Sequence, residues 1–309
     1  MPLARLQALA TFAWLATLLA WVLFHRASPG AALGGALAIA LAHAWVLAVE
    51  FLALCWVSRS DAVPVATARQ LWRAWWSETC VAPQVFCWHQ PFRSQRFPDL
   101  LAPRHHGRRG VVLVHGYLCN RGVWNLWLER LQSEDRPFIA LDLAPIFAPI
   151  ESHVPALDAA VARMTQATGL PPLLVGHSMG GLVMRAWLRQ ARAPERVHRL
   201  VTLGTPHRGT WTAHFGYSPN AHQMQPGHPW LEALNADVPA SWPRHFVCLH
   251  SNADNMVFPP SHARLAGADN RLLPGLAHVQ MAWRPEVVTA VLACLDAPAL
   301  PTAPPEPAC

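Results

Sequence analysis

The stretch from Leu6 to Phe24, LQALATFAWLATLLAWVLF, carries no charged residue and is bracketed by Arg5 and His25. Its length matches a bilayer's hydrocarbon core of roughly 30 Å. In that medium every backbone N–H and C=O must be satisfied within the segment, which leaves a helix as the only form for a single stretch. A secretory signal peptide is the competing reading, but the stretch is long for an h-region and no A-x-A-like site follows it. After the turn-like HRASPG, a second apolar stretch runs from Ala31 to Val57, broken only by His43 and Glu50. These two share a helical face, on which the small residues Ala36 and Ala40 also lie. They read as a packing pair facing the first span, bonded to Thr11 or Thr17, or else as an intramembrane functional site. Residues 1–58 are therefore expected to form an antiparallel two-helix transmembrane anchor. Two helices alone enclose no transport route.

With that anchor set aside, enough chain remains for a sizeable core. The 309 residues are 52% hydrophobic and 14% charged, which excludes a disordered polypeptide. The formal charge of +6 comes from arginine with no lysine, and the arginines are scattered rather than gathered in a stripe. No nucleic-acid motif accompanies them, so no nucleic-acid partner is expected. The seven cysteines, at 55, 80, 87, 119, 248, 294 and 309, include no CxxC pair. They call for neither a metal site nor a disulfide framework and suit reduced thiols.

Residues 59–109 form a connector in which ATARQLWRAWWSETC is amphipathic and the rest is punctuated by proline. Trp72, Trp75 and Trp76 beside Arg69 and Arg73 fit a helix lying among lipid headgroups, and fit equally a helix packed on the following domain. Residues 298–309 are proline-rich and expected to be disordered. Between them, residues 110–297 alternate short apolar runs with helical periodicity: GVVLVHG, PFIALDL, PPLLVGHS, HRLVTLG, HFVCLHS and a short RLL, separated by amphipathic segments. Strands apolar throughout and separated by helices predict an α/β fold, a mostly parallel sheet with helices on both faces. Ligands in such folds bind at the C-terminal ends of the strands.

The chemistry points to the same edge. In LLVGHSMGG, Gly176, Ser178 and Gly180 form G-x-S-x-G between an apolar strand and an amphipathic helix. A serine on such a sharp turn is an exposed nucleophile, and it needs a base that an acid holds in the right tautomer, following in the order Ser, Asp, His. Position selects Asp254, after HFVCLHS, and His278, before the last helix; the rivals are Asp269 and His262. An oxyanion hole would use the backbone N–H groups of Met179 and Tyr117, with Gly116 letting the loop turn inward. Cys119 lies nearby but on no such elbow. The scheme needs no cofactor and no metal.

With VLVHGY, GHSMGG, LGTPHRGT, QMQPGHPWLEALN, SNADNMVFPP and GLAHVQM in place, the chain resembles a bacterial lipase or esterase of the α/β-hydrolase superfamily over nearly all of 110–297. The resemblance implies the α/β-hydrolase fold, a Ser178–His278–Asp254 triad and an oxyanion hole at Tyr117 and Met179. It departs from the secreted lipases in its N-terminal hairpin and Trp-rich connector. The expected activity is membrane-anchored hydrolysis of lipid or acyl esters, with membrane lipids as partners. An acyltransferase or thioesterase using the same triad, and a silent hydrolase-fold binding protein, are the alternatives. Arg5 precedes the first stretch, and Arg59, Arg69 and Arg73 follow the second, against Arg26 between them. That excess places both ends, and the catalytic domain, on the cytoplasmic side of a bacterial inner membrane crossed twice. Residues 208–240 are a candidate lid.

Overall fold

The computed structural model describes residues 3–239 and 241–298. The proline-rich tail therefore lies, apart from Pro298, outside the described residues. Six strands pair in parallel: β1 (Val111–Val114), β2 (Phe138–Ala140), β3 (Leu173–His177), β4 (Arg199–Leu203), β5 (Phe246–His250) and β6 (Asp269–Leu272). Their order in the sheet is β2-β1-β3-β4-β5-β6. The chain thus starts near one side, steps outward once, and returns across β1 to build the other side. Parallel neighbours need crossovers, and helices supply them on both faces.

Alternation along the strands sorts the core into two layers. Val112, Val114 and Leu174 face α7 (Val154–Thr168) and α8 (Met179–Ala191), where Leu157, Met164, Leu182 and Trp187 are buried. Val111, Leu113 and Val175 face α6 (Asn125–Ser133) and α12 (Pro285–Leu292), among Trp124, Trp127, Leu131 and Val291. Between β4 and β5 lie α9 (Pro219–Gln223) and α10 (Pro229–Ala236), and α11 (His278–Ala282) follows β6. Arg185 lashes the β4–β5 segment down, donating to the carbonyls of His207 and Leu234 and to Asn235 Oδ1.

The N-terminal region is α1 (Leu3–Phe24), α2 (Pro29–Ala40), α3 (Ala42–Val57), α4 (Ala68–Gln84) and α5 (Gln90–Arg93). Thr67 and Gln70 cap α4 reciprocally, and Pro83 near its end gives way to a π-helical turn over Val85–His89. Among the described residues one helix, α1, is long and apolar enough to cross a membrane; α2 and α3 qualify only as a pair bent by 47°. The second apolar stretch is thus a broken element rather than a straight second span. Beyond the bend α3 docks: Phe51 and Leu54 pack with Ala74 of α4 and with Ala253, Phe258 and Ala277 of the sheet domain.

The expected partners of His43 and Glu50 are corrected accordingly. Thr11 and Thr17 spend their hydroxyls on their own helix, donating to Gln7 O and Ala13 O. His43 Nε2 instead donates to Thr79 O of α4, and Glu50 accepts from Asn255 Nδ2 at 2.7 Å. Both groups therefore face the connector and the sheet domain, where donors and acceptors exist for them. The close approach of α1 to α2 falls at Gly35, where a Cβ would overlap the Trp21 indole. The connector divides its tryptophans: Trp75 Nε1 donates to Ala44 O, while Trp72 and Trp76 stay 63% and 54% exposed.

Candidate active site

The strand order reverses between β1 and β3, and in open α/β sheets the crevice outside the strand ends at that point is where ligands sit. Ser178 follows β3 there with φ 54° and ψ −126°, a conformation that costs a non-glycine residue about 1–3 kcal/mol. The neighbouring glycines make that turn possible by closeness. A Cβ on Gly176 would lie 2.7 Å from Gly181 N, and one on Gly180 would lie 2.1 Å from Val114 O. Helix and strands could not meet around the serine with side chains at either position.

Beyond β5, Asp254 is buried and its Oδ1 accepts from Met256 N and Val257 N at 2.9 and 2.8 Å. Both its carboxylate oxygens lie 3.0 Å from His278 Nδ1. A carboxylate only accepts, so the imidazole proton sits on Nδ1 and Nε2 keeps its lone pair. Burial pulls against the charged imidazole, but Asp254, with Glu78 and Glu50 behind it, outweighs burial and raises the His278 pKa. Gly204, at φ 53°, leaves room for the pair: a Cβ there would lie 2.8 Å from Asp254 Oδ2.

His177, the last residue of β3, ties the serine's strand to this pair. Its ring lies 4.5 Å from that of His278, and its Nε2 donates to His278 O at 3.1 Å. Burial and the neighbouring His278 hold His177 neutral. Among the described residues Ser178 Oγ makes no direct hydrogen bond to His278, a contact often long in unliganded sites.

After β1, Gly116 lies against the serine: a Cβ on it would be 2.8 Å from Ser178 Cβ. Its glycine is thus required by close approach, and the left-handed turn falls instead on Leu118, φ 53°. Tyr117 is held through its phenol, which bonds Ser218 Oγ at 3.1 Å. Burial pushes the Cys119 thiol up to about 12, so it is a poor thiolate. The two rivals belong elsewhere: Asp269 pairs with Arg271, and His262 Nδ1 bonds Gly209 O.

Four polar residues around this centre escaped sequence reasoning in this role: His177, Asn255, Glu78 and Glu50. His177 sits inside the quoted motif and Glu50 stood out as a charge in an apolar stretch. For Glu78 no local signal existed.

Ser178 opens into a cleft of about 620 Å³. Its walls are apolar, including Leu118, Phe147, Phe215, Met224 and Met256. At its mouth Phe215 is 64% and Tyr217 94% exposed. The two ends of the N-terminal helices flank this mouth. Gln7 of α1 donates to Leu118 O, and Trp56 of α3 stacks edge-on with Trp211, itself in contact with Phe215.

Residues 110–237 match the model of a family described as alpha/beta hydrolase fold. The lipase BlEst2 of Bacillus licheniformis in its mature form superposes with a TM-score of 0.54 at 19% identity, covering 61% of this chain and 92% of that one. Lipase B of Aspergillus fumigatus gives 0.57 at 15% identity, over 66% of this chain and 56% of that one. The propeptide form of BlEst2 gives 0.53 at 21%, over 64% and 53%. The chain therefore spans nearly all of the mature bacterial lipase and about half the length of the other two. None of the curated proteins matches it. The chain has the alpha/beta hydrolase fold, with lipases among its structural neighbours, and residues 1–109 lie outside the family match.

Proposed function

We propose that the protein is a membrane-anchored serine hydrolase cleaving carboxylic esters of lipid or acyl type. One observation carries this reading: a buried imidazole with its Nδ1 clamped by both oxygens of Asp254 and its ring 4.5 Å from that of His177, the residue before a serine that is held at φ 54° and lines an apolar cleft. Ser178 Oγ attacks the ester carbonyl while His278 Nε2 takes its proton. The C–O bond then breaks and His278 returns the proton to the departing alcohol, leaving an acyl-serine. Water repeats the sequence and frees the acid. The N–H groups of Tyr117 and Met179 stabilise the oxyanion that forms in each half.

α1 and the bent α2–α3 pair returning beside it are the anchor in this reading, and the cleft mouth lies between the beginning of α1 and the end of α3, so the substrate is drawn from the bilayer. Exposed Trp72 and Trp76 sit among the headgroups, and the arginine distribution puts the catalytic domain on the cytoplasmic side.

Two results are expected. With p-nitrophenyl esters on the detergent-solubilised full chain, kcat/KM should climb by about 4-fold per added CH2 while the acyl chain still finds apolar wall, reflecting ~0.8 kcal/mol per buried methylene. A series that peaks at acetate would overturn the lipid reading. Gly116→Ala should lower kcat by about 10²–10³, the usual cost of one lost oxyanion donor, because its Cβ pushes the loop away from Ser178. Near-normal kcat in that variant would remove Tyr117 from the oxyanion hole.

A further inference from the structure

Glu78 stands on α4, in the segment that the family match does not reach, yet its side chain is only 1% exposed. Its Oε1 accepts from Val279 N at 2.9 Å and its Oε2 from Gln280 N at 3.0 Å. The preceding N–H is held in the same manner. His278 N donates to Asn255 Oδ1 at 3.1 Å, and Asn255 Nδ2 donates to Glu50 of α3 at 2.7 Å. Three consecutive backbone N–H groups, beginning with that of His278, are thus bound by one side chain of α4 and by an asparagine that α3 orients. Burying a carboxylate costs several kcal/mol unless it is fully hydrogen-bonded, and apolar packing would join these helices to the domain at less expense. The two carboxylates converge instead on the one segment that sets the direction of the imidazole.

We propose that Glu78, seconded by Glu50 through Asn255, is a positioning residue for His278, so that the N-terminal helices complete the active site as well as tether it. This rests on His278 being the general base. The groups facing His278 are Asp254 from the loop after β5, Glu78 from α4, Glu50 from α3 and neutral His177 from β3. Glu78 itself faces the Val279 and Gln280 N–H groups, His278 and Asp254, while His43 of α3 is turned to the carbonyl of Thr79. Burial pushes the Glu78 carboxyl up to about 7, against the pull of its two N–H bonds and of His278. Its carboxylate form favours the imidazolium. Removing that charge therefore lowers the His278 pKa, and the acid limb of activity moves to lower pH.

The test compares wild type, Glu78→Gln and Ser178→Ala as full-length proteins in detergent, with folding followed by circular dichroism. Glutamine keeps the shape and one acceptor oxygen but sets an NH2 against the second N–H. Its kcat is expected to fall by about 10–100-fold, the range for a group that orients a reacting one. KM should stay within about twofold, because no substrate contact is lost. The acid limb of kcat/KM should shift to lower pH, which a merely structural contact would not cause. A folded Glu78→Gln protein with wild-type kcat and an unmoved limb, beside an inactive Ser178→Ala, overturns the positioning role and leaves the triad standing. Activity surviving in Ser178→Ala overturns the underlying reading instead. If Glu78→Gln does not fold, Glu50→Gln decides. It keeps an oxygen for Asn255 but removes a charge, so the limb should move the same way with a smaller loss of kcat, and an unmoved limb overturns the proposal.

Discussion

Ser178→Ala should lower kcat on p-nitrophenyl esters by about 10⁴–10⁶-fold, since triad members act as a unit and the loss of one costs nearly as much as the loss of all. The fold should survive. Ser178 Oγ makes no hydrogen bond among the described residues, and alanine inherits the same φ of 54° without adding atoms to the elbow. The midpoint of thermal unfolding is accordingly expected to stay within the change that about 0.5 kcal/mol produces. Covalent labelling by a fluorophosphonate should disappear together with turnover. A well-folded Ser178→Ala chain that keeps a tenth of wild-type activity would end the assignment of a serine nucleophile.

Asp254→Asn is the second large effect, about 10⁴-fold in kcat. The reason lies in how the carboxylate is shared. Oδ1 accepts two backbone N–H bonds, from Met256 and Val257, as well as approaching the imidazole. An asparagine must give its carbonyl oxygen to those two N–H groups, so its NH2 is left facing His278 Nδ1. That nitrogen then becomes the acceptor, the proton moves to Nε2, and the lone pair that should deprotonate Ser178 is gone. Asp269→Asn provides the contrast, because its carboxylate is half exposed and paired with Arg271, where exposed ion pairs contribute about 0–1 kcal/mol. Damage confined to Asp269→Asn, with Asp254→Asn near normal, would reassign the acid.

The parallel sheet was legible because continuous apolar runs spaced by helical periodicity admit few other arrangements, and each run from GVVLVHG to RLL lies on a strand of the sheet. Gly176 and Gly180 could be singled out because the crowding they relieve is local, within one strand–turn–helix. Gly116 can be marked as well, but the crowding that requires it involves a different strand, and nothing in VLVHGY reports the position of β3. The course of the second apolar stretch is hidden for the same kind of reason. Its composition is that of a membrane span, and hydropathy does not register the 47° bend that turns half of it onto the sheet domain.

The charges in that region mark the boundary most clearly. Glu50 was conspicuous as a carboxylate among apolar neighbours, yet its partner lies 205 positions away; Glu78 was inconspicuous within an ordinary amphipathic helix, and its partners lie 201 and 202 positions away. Hydrophobic period, glycine spacing and residue order are properties of neighbouring residues along the chain, and through them the sequence alone determined the layered α/β architecture and the candidate Ser178, Asp254 and His278. Which buried carboxylate meets which N–H depends on how far α3 bends and which face α4 presents. Only the tertiary structure decided those, because the free energy of a buried charge is set by the donors packed around it and not by its neighbours in sequence.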